Sequence, residues 1–453
     1  MDDQEDRAVK KAAWRLLPLL ILLYLVAYID RQNVSFAKLQ MLDSLGMTET
    51  AYGLGASLFF IGYLIFEVPS NIALHKLGAR RWIARIMLTW GIVTIVLAWT
   101  SSTTMFYVLR FLLGAAEAGL YPGVIYYMTL WFPARYRVRV VGYFTLGSSL
   151  GNMIGAMVNG FLLDLGGTFG LAGWQWVFLA TGLPPVILTF VTLRFLPDTP
   201  HEARFLDPAE RQAILTAVER DAPMATRHGN PLAVLTQGRI FVLAFFYMMV
   251  SIAIYGIGYW LPTVVRGFGV GNSANGLLNM IPWFLTSLVL LWLPGRLRTP
   301  SEILRCVGVA VVLGVCCFCV GTFAASPIVQ LTALAIGAPC LYVMIPCFWS
   351  IPPRLLSGAQ AAAGIAAINA LANIGGFIGQ NIMPWIRTET GSVTAPMMVP
   401  AGCLIMLGIG AIVAWHTMGT EAPASGLAEA PIETEREKST CRRTDRLLGT
   451  RRP

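Results

Sequence analysis

Twelve apolar stretches, each about twenty residues long, recur along this chain, and a helix of that length crosses the hydrocarbon core of a bilayer. They run roughly 14–36, 52–74, 82–100, 104–130, 139–163 and 174–195, then 240–264, 274–294, 303–323, 328–350, 359–386 and 394–417. Lipid offers no partner to a backbone N–H or C=O, so such stretches have to become helices. Of the 453 residues 56% are hydrophobic and 13% charged, and the mean hydropathy is +0.64. A soluble domain carries roughly twice that charged fraction. The expected fold is an all-α membrane protein of 12 transmembrane helices, with the lipid bilayer as its solvent.

A polar segment from Pro197 to Gly238 divides the spans into two sets of six. The expected organisation is a tail (1–13), a six-helix bundle (14–196), a linker (197–238), a second six-helix bundle (239–417) and a disordered tail (418–453). Asp207-Pro208-Ala-Glu210 reads as a helix start, with Asp as N-cap and Pro at the first helical position. The first apolar run holds Asp30 and Arg31 and lacks a small-residue cleavage site, so it is expected to stay as a span. Of the 33 Lys and Arg, only Lys38, Arg266 and Arg387 fall on the side opposite the linker, and only Arg31 and Arg110 fall within spans. That asymmetry puts both termini and the linker in the cytoplasm. The net charge of +9 lies in the connections, so it reads as a topology signal and excludes a nucleic-acid surface. Seven of the eight Cys fall in apolar runs and behave as small hydrophobes, with neither a disulfide framework nor a metal site expected.

The most informative stretch is Arg110-Phe-Leu-Leu-Gly114-Ala-Ala-Glu117-Ala-Gly-Leu-Tyr121 in span four. Arg110 and Glu117 are close to two helical turns apart, on one face, about 10 Å along the axis; Gly114 and Tyr121 continue that face. Charge at membrane depth is costly and marks either function or an ion pair locking two helices. In span one, Tyr24, Tyr28, Arg31 and Ser35 share a face, and Asp30 sits about 100° round from Arg31, so each can meet a different neighbour. Span two carries Tyr63, a cavity candidate, and Glu67, for which a contact to the following basic loop is expected. Span five has Ser148, Asn152, Gly155 and Asn159, and span eleven has Asn369, Asn373, Gly376 and Gln380 at the same spacing. Such stripes serve helix packing or cavity lining equally well. Tyr255, Tyr259 and Trp260 in span seven, and Trp349 and Ser350 in span ten, complete the polar and aromatic content of the second half.

Two Arg forks in one half suit a substrate carrying a carboxylate, which guanidinium matches bidentately. A dry site disfavours a charged carboxyl and a neighbouring Arg favours it, so Asp30 and Glu117 suit reversible protonation. No nucleophile–base set, metal cluster or phosphate loop is present in the pattern, so no enzyme and no cofactor is expected.

Tyr28-Ile-Asp30-Arg31-Gln-Asn33, Glu67-Val-Pro-Ser-Asn71, Leu77-Gly-Ala-Arg-Arg81, Arg110-Phe-Leu-Leu-Gly114-Ala-Ala-Glu117, Leu130-Trp-Phe-Pro-Ala-Arg-Tyr-Arg137 and Gly258-Tyr-Trp-Leu-Pro262 resemble the anion:cation symporter family of the major facilitator superfamily. The likeness covers roughly residues 14 to 417. It departs at the superfamily's loop motif, where His75 stands at the aspartate position. The family includes bacterial carriers of tartrate, sugar acids such as galactonate, phthalate and hydroxyphenylacetate. The resemblance implies two six-helix pseudo-repeats rocking about a midplane site. It implies substrate contacts from Tyr28, Arg31, Tyr63 and Arg110, proton coupling through Asp30 and Glu117, and Ser148 in place of a substrate-binding glutamine. With the residues above, the candidate substrate set is Tyr28, Arg31, Tyr63, Arg110, Ser148, Asn152, Tyr255, Trp349, Ser350, Asn369 and Asn373. The expected activity is proton-coupled import of a small carboxylate across a bacterial inner membrane by a monomer. An uncoupled facilitator or exchanger, or a membrane sensor on the same scaffold, is the alternative.

Overall fold

The computed structural model describes residues 2–221, 237–293, 300–349 and 358–420, and every long regular element among them is an α-helix. In the first half these are α1 (Asp2–Leu45), α2 (Glu49–Leu77), α3 (Ala79–Leu97), α4 (Thr103–Glu117), α5 (Leu120–Trp131), α6 (Ala134–Leu163) and α7 (Gly173–Phe195). The linker holds α8 (Pro208–Asp221). The second half has α9 (Gly238–Arg266), α10 (Asn272–Trp292), α11 (Pro300–Phe323), α12 (Pro327–Trp349), α13 (Gly358–Thr390) and α14 (Met398–Thr420). Each expected span coincides with one helix, or in one case with a pair, and among the described residues ten are long and apolar enough to cross a membrane. Residues 1–410 make one compact unit; the second, 411–453, is described only through Thr420. The tail expected to be disordered thus lies almost wholly outside the described residues.

Three features add to or differ from the sequence expectation. First, α1 begins at Asp2, so the tail, whose conformation the sequence left open, is continuous with the first span. Its acids find partners: Glu5 and Asp6 each meet Arg135 of α6 at 3.1 Å, and Glu5 meets Arg220 of α8 at 3.4 Å. Second, span four is not one helix. It breaks after Glu117, because Gly119 takes the left-handed conformation at φ 89°. A Cβ there would lie 2.4 Å from Ser70 Oγ, which donates to the Ala118 carbonyl at 2.6 Å and so satisfies one of the groups the break frees. The face that sequence spacing drew from Arg110 to Tyr121 therefore stops at Glu117. Third, Lys38, placed in a connection by its sequence, is inside α1 and 1% exposed.

The linker start behaves as its residues dictate. Asp207 Oδ1 accepts from Glu210 N at 2.7 Å, and Glu210 Oε2 accepts from Asp207 N at 3.1 Å, a reciprocal cap. Residues 222–236 are outside the described segments.

The helix ends that carry the linker can be called the linker end, and the opposite ends the far end. The two halves are joined in the middle and at the far end. Gly160 of α6 and Gly276 of α10 meet backbone to backbone, a Cβ on Gly160 falling 2.7 Å from Gly276 Cα. Small residues allow this approach. Beside them Asp164 accepts from the backbone N of Ser273 at 3.0 Å, from the Ser273 hydroxyl, and from Asn272 Nδ2 at 2.8 Å. Asn381 Nδ2 donates to Ser57 Oγ at 2.7 Å, joining α13 to α2. Lys38 Nζ meets Glu49 Oε2 at 2.9 Å within the first half and lies 3.8 Å from the Trp260 ring centroid of the second.

Candidate substrate site between the two halves

A cavity of about 40 Å³ lies between the halves. Tyr28, Arg31, Gln32 and Val34 of α1 and Asn152 of α6 line it from the first half. Tyr255 and Tyr259 of α9, Trp283 of α10, Tyr342 of α12 and Gln380 of α13 line it from the second. Its volume holds only a few water-sized bodies, so a larger substrate would have to spread the walls.

Arg31 is the cation of this wall. Its Nη2 lies 2.6 Å and its Nε 2.8 Å from Glu117 Oε1, so the fork closes on one carboxylate oxygen. Nη1 reaches the Tyr255 hydroxyl at 3.5 Å, across the halves. The guanidinium also stands 5.2 Å from the Tyr28 ring centroid and 5.6 Å from those of Phe59 and Tyr63, within cation–π range. Glu117 is 0% exposed, and its second oxygen, Oε2, meets no hydrogen-bond donor among the described residues. It is the last residue of α4, at the break. A helix C-terminus presents partial negative charge, so the Arg31 fork is what holds a charged carboxylate there.

The two other charges take separate places. Asp30 is buried on the side of α1 turned to α3. It accepts from Trp90 Nε1 at 2.8 Å and from Asn33 Nδ2 at 2.9 Å, and that amide also donates to Thr181 Oγ1 of α7 at 3.0 Å. Arg110 is 2% exposed; its Nη2 donates to the Ala56 carbonyl at 2.9 Å and its guanidinium lies 5.2 Å from the Phe59 centroid. The sequence set Arg110 and Glu117 on one face of one helix, whereas the close partner of Glu117 comes from α1.

Among the residues named from sequence, Tyr28, Arg31, Asn152 and Tyr255 line the cavity, and Tyr63 stands just behind Arg31. Asn152 Nδ2 donates to the Tyr342 hydroxyl at 3.3 Å, a contact between the halves. Ser148 donates to the Thr145 carbonyl of its own helix at 2.7 Å. Trp349 packs edge-on against Tyr247, 5.0 Å between centroids, away from the cavity. Asn369 and Asn373 are half-buried on α13 and are not among the lining residues, though Gln380 of the same stripe is. Ser350 lies outside the described residues. Gln32, Tyr259, Trp283, Tyr342 and Gln380 line the cavity without having been in the candidate set. Gln380 had a signal, its place in the amide stripe. Trp283 and Tyr342 had none, since an aromatic in an apolar run reads equally as packing.

Glu67 is 8% exposed. Among the described residues the expected contact with the basic segment after α2 is not made: Arg80, in the first turn of α3, meets Asp198 at 3.6 Å and Glu202 at 3.9 Å instead. Glu67 Oε2 is buried with no hydrogen-bond partner among the described residues. His75, at the motif's aspartate position, packs on the Tyr126 ring at 3.9 Å between centroids.

Helices in two linked sets around a central cavity with a buried ion pair in its wall define a membrane carrier. Residues 20–380 match the family model for the Major Facilitator Superfamily, and the chain belongs to that superfamily of membrane transporters. It is 42% identical to a quinolone resistance transporter of Acinetobacter baumannii, over 87% of this chain and 92% of that one. It is 40% identical to a putative tartrate transporter of Agrobacterium vitis, over 95% of this chain and 99% of that one. Among solved structures it is similar to a bacterial homologue of the human lysosomal transporter Spinster. The TM-score is 0.73 at 16% identity, covering 91% of this chain and 99% of that chain. The all-helical facilitator fold and the non-enzymatic class expected from sequence are thereby borne out.

Proposed function

We propose that this transporter carries a small organic anion across a bacterial inner membrane together with a proton, as a monomer with both termini in the cytoplasm. The observation that carries the reading is the Arg31 fork, set in the cavity wall and closed on Glu117 at 2.6 and 2.8 Å. A substrate carboxylate entering the cavity competes with Glu117 for that fork. Once released at a dry helix end, the Glu117 carboxyl gains by taking a proton, so anion and proton bind with positive linkage. Asp30, a buried acid of α1, is the second proton site of this scheme. Tyr28, Asn152 and Tyr255 supply hydroxyl and amide groups around the anion, and Arg110, Tyr63, Ser148, Trp349, Ser350, Asn369 and Asn373 complete the set once the halves move. With the linker end cytoplasmic, contacts gathered at the far end correspond to a carrier closed to the outside.

The two named relatives bracket the substrate: one is named for tartrate and one for quinolone resistance. Calorimetry on purified protein with L-tartrate, D-galactonate, phthalate, 4-hydroxyphenylacetate and a quinolone tests the class. At least one of the four acids should bind, with proton uptake visible as a buffer-dependent binding enthalpy. Heat from none of the four would count against it.

A further inference from the structure

Glu67 is a buried acid that the scheme above does not use. It stands on α2 one turn toward the linker end from Tyr63, and the two share a face. Tyr63 itself packs behind Arg31, with 5.6 Å between the guanidinium and the ring centroid. The next turn of α2 brings Ser70 onto the Ala118 carbonyl, at the break that follows Glu117. Glu67 therefore lies beside the turn that carries Glu117, on its linker side. The charged and titratable groups around it come from each packed element. Those acting on it directly are Arg31 of α1 and Tyr63 of its own helix, with Glu117 of α4 and Arg85 of α3 farther off. Arg85 reaches Ser70 Oγ at 3.4 Å and is not an ion-pair partner of Glu67. Among the described residues Glu67 makes no salt bridge, and its Oε2 meets no donor. An acid kept at this depth without a cation partner serves helix packing poorly, because a leucine would pack there without the desolvation cost.

We propose that Glu67 is the carboxyl through which the Glu117 proton leaves toward the linker end. The inference rests on the proton-coupled reading above. In the loaded carrier Glu117 holds the proton and Arg31 holds the substrate. When the substrate leaves, Arg31 turns back to Glu117. The Glu117 O–H bond breaks, and its proton passes to the Glu67 carboxylate by way of the Tyr63 hydroxyl and water entering from the linker end. Glu117 is left as the carboxylate paired with Arg31. Glu67, now the neutral acid, loses the proton to bulk water and returns to its charged form. One proton enters and one leaves, with no net change in Glu67.

Two measurements test this, using Glu67→Gln and Glu67→Asp in the full chain. The first needs no substrate: infrared difference spectra of the purified protein between alkaline and acid buffer report neutral carboxyl C=O groups. Loss of one such band in Glu67→Gln, and its shifted return in Glu67→Asp, is expected. An unchanged difference spectrum would overturn the assignment. The second uses labelled L-tartrate and proteoliposomes with a trapped pH dye. Glu67→Gln should slow proton-driven uptake at least about tenfold, the effect of 1.4 kcal/mol on a barrier, with L-tartrate affinity and melting temperature unchanged. Glu67→Asp should recover part of the rate. A merely structural Glu67 would instead lower affinity and melting temperature together and leave the pH dependence of uptake alone. Should the wild type not move L-tartrate, that counts against tartrate as the substrate, and the infrared result alone decides Glu67.

Discussion

At the residue scale the site turns on which partner each buried charge has. Sequence spacing identified Arg31, Arg110, Asp30 and Glu117 as the costly charges of the first half. It could not say that Glu117 belongs to Arg31, because that contact joins residues 86 apart in the chain. Pairing across helices depends on their relative rotation, which no periodicity within one helix records. The consequence is a difference between the two arginines. Arg31 is in the cavity wall, and Arg110 is held on the Ala56 carbonyl behind Phe59. Lys keeps the charge and loses the planar fork. Arg31→Lys should therefore lose one charge-assisted hydrogen bond to a bound carboxylate, about 1.5–3 kcal/mol, or roughly 10- to 150-fold in affinity. Arg110→Lys should cost less affinity than Arg31→Lys in the same calorimetric titration. Equal losses would mean that both forks hold the anion.

At the element scale the twelve spans were legible because each is a long apolar run, a signal that lipid imposes on every one of them. The break in span four was not. A single Gly within an apolar run is common in membrane helices, and what makes Gly119 a break is Ser70 of another helix filling the space a side chain would need. The same limit applies to Lys38. Its place near the end of an apolar run looked like a connection, yet Glu49 and the Trp260 ring let α1 continue past it to Leu45. Gly119→Ala puts a non-glycine residue at φ 89°, a strain of about 1–3 kcal/mol, with a methyl pressed on Ser70 besides. A lower melting temperature and slower transport are expected. Wild-type values for both would show that the break does not depend on that glycine.

At the scale of the whole molecule the halves are held at the far end by a carboxylate cap and a lysine on an indole. Asp164 lies just past the end of α6, and its carboxyl is held below the usual carboxylate value. The Ser273 hydroxyl contributes most, then the Asn272 amide and the Ser273 backbone N–H, with Arg266 assisting against the cost of burial. A depressed folded-state value means this contact is at full strength above the ordinary Asp range of about 4 and weakens as pH falls through the lowered value. It therefore stays intact at neutral and mildly acid pH. Asp164→Asn removes the charge and should loosen the far end at neutral pH, and Lys38→Met should do so independently. For about 1 kcal/mol each, the open population rises about fivefold. Labelling of Ser57→Cys by a membrane-impermeant maleimide, in a background free of native cysteines, reads this directly. Unchanged labelling rates in both variants would mean that other contacts close that end.

The central claim is that an anion drawing Arg31 off Glu117 is what loads the proton. Glu117→Gln mimics the neutral acid and breaks only that link. In proteoliposomes with a pH gradient and labelled substrate, with binding measured on the same preparation, the variant should bind substrate and exchange it across the membrane. It should fail to concentrate it. Accumulation by Glu117→Gln against the substrate gradient, driven by the pH difference, would contradict the claim and pass the coupling role to Asp30.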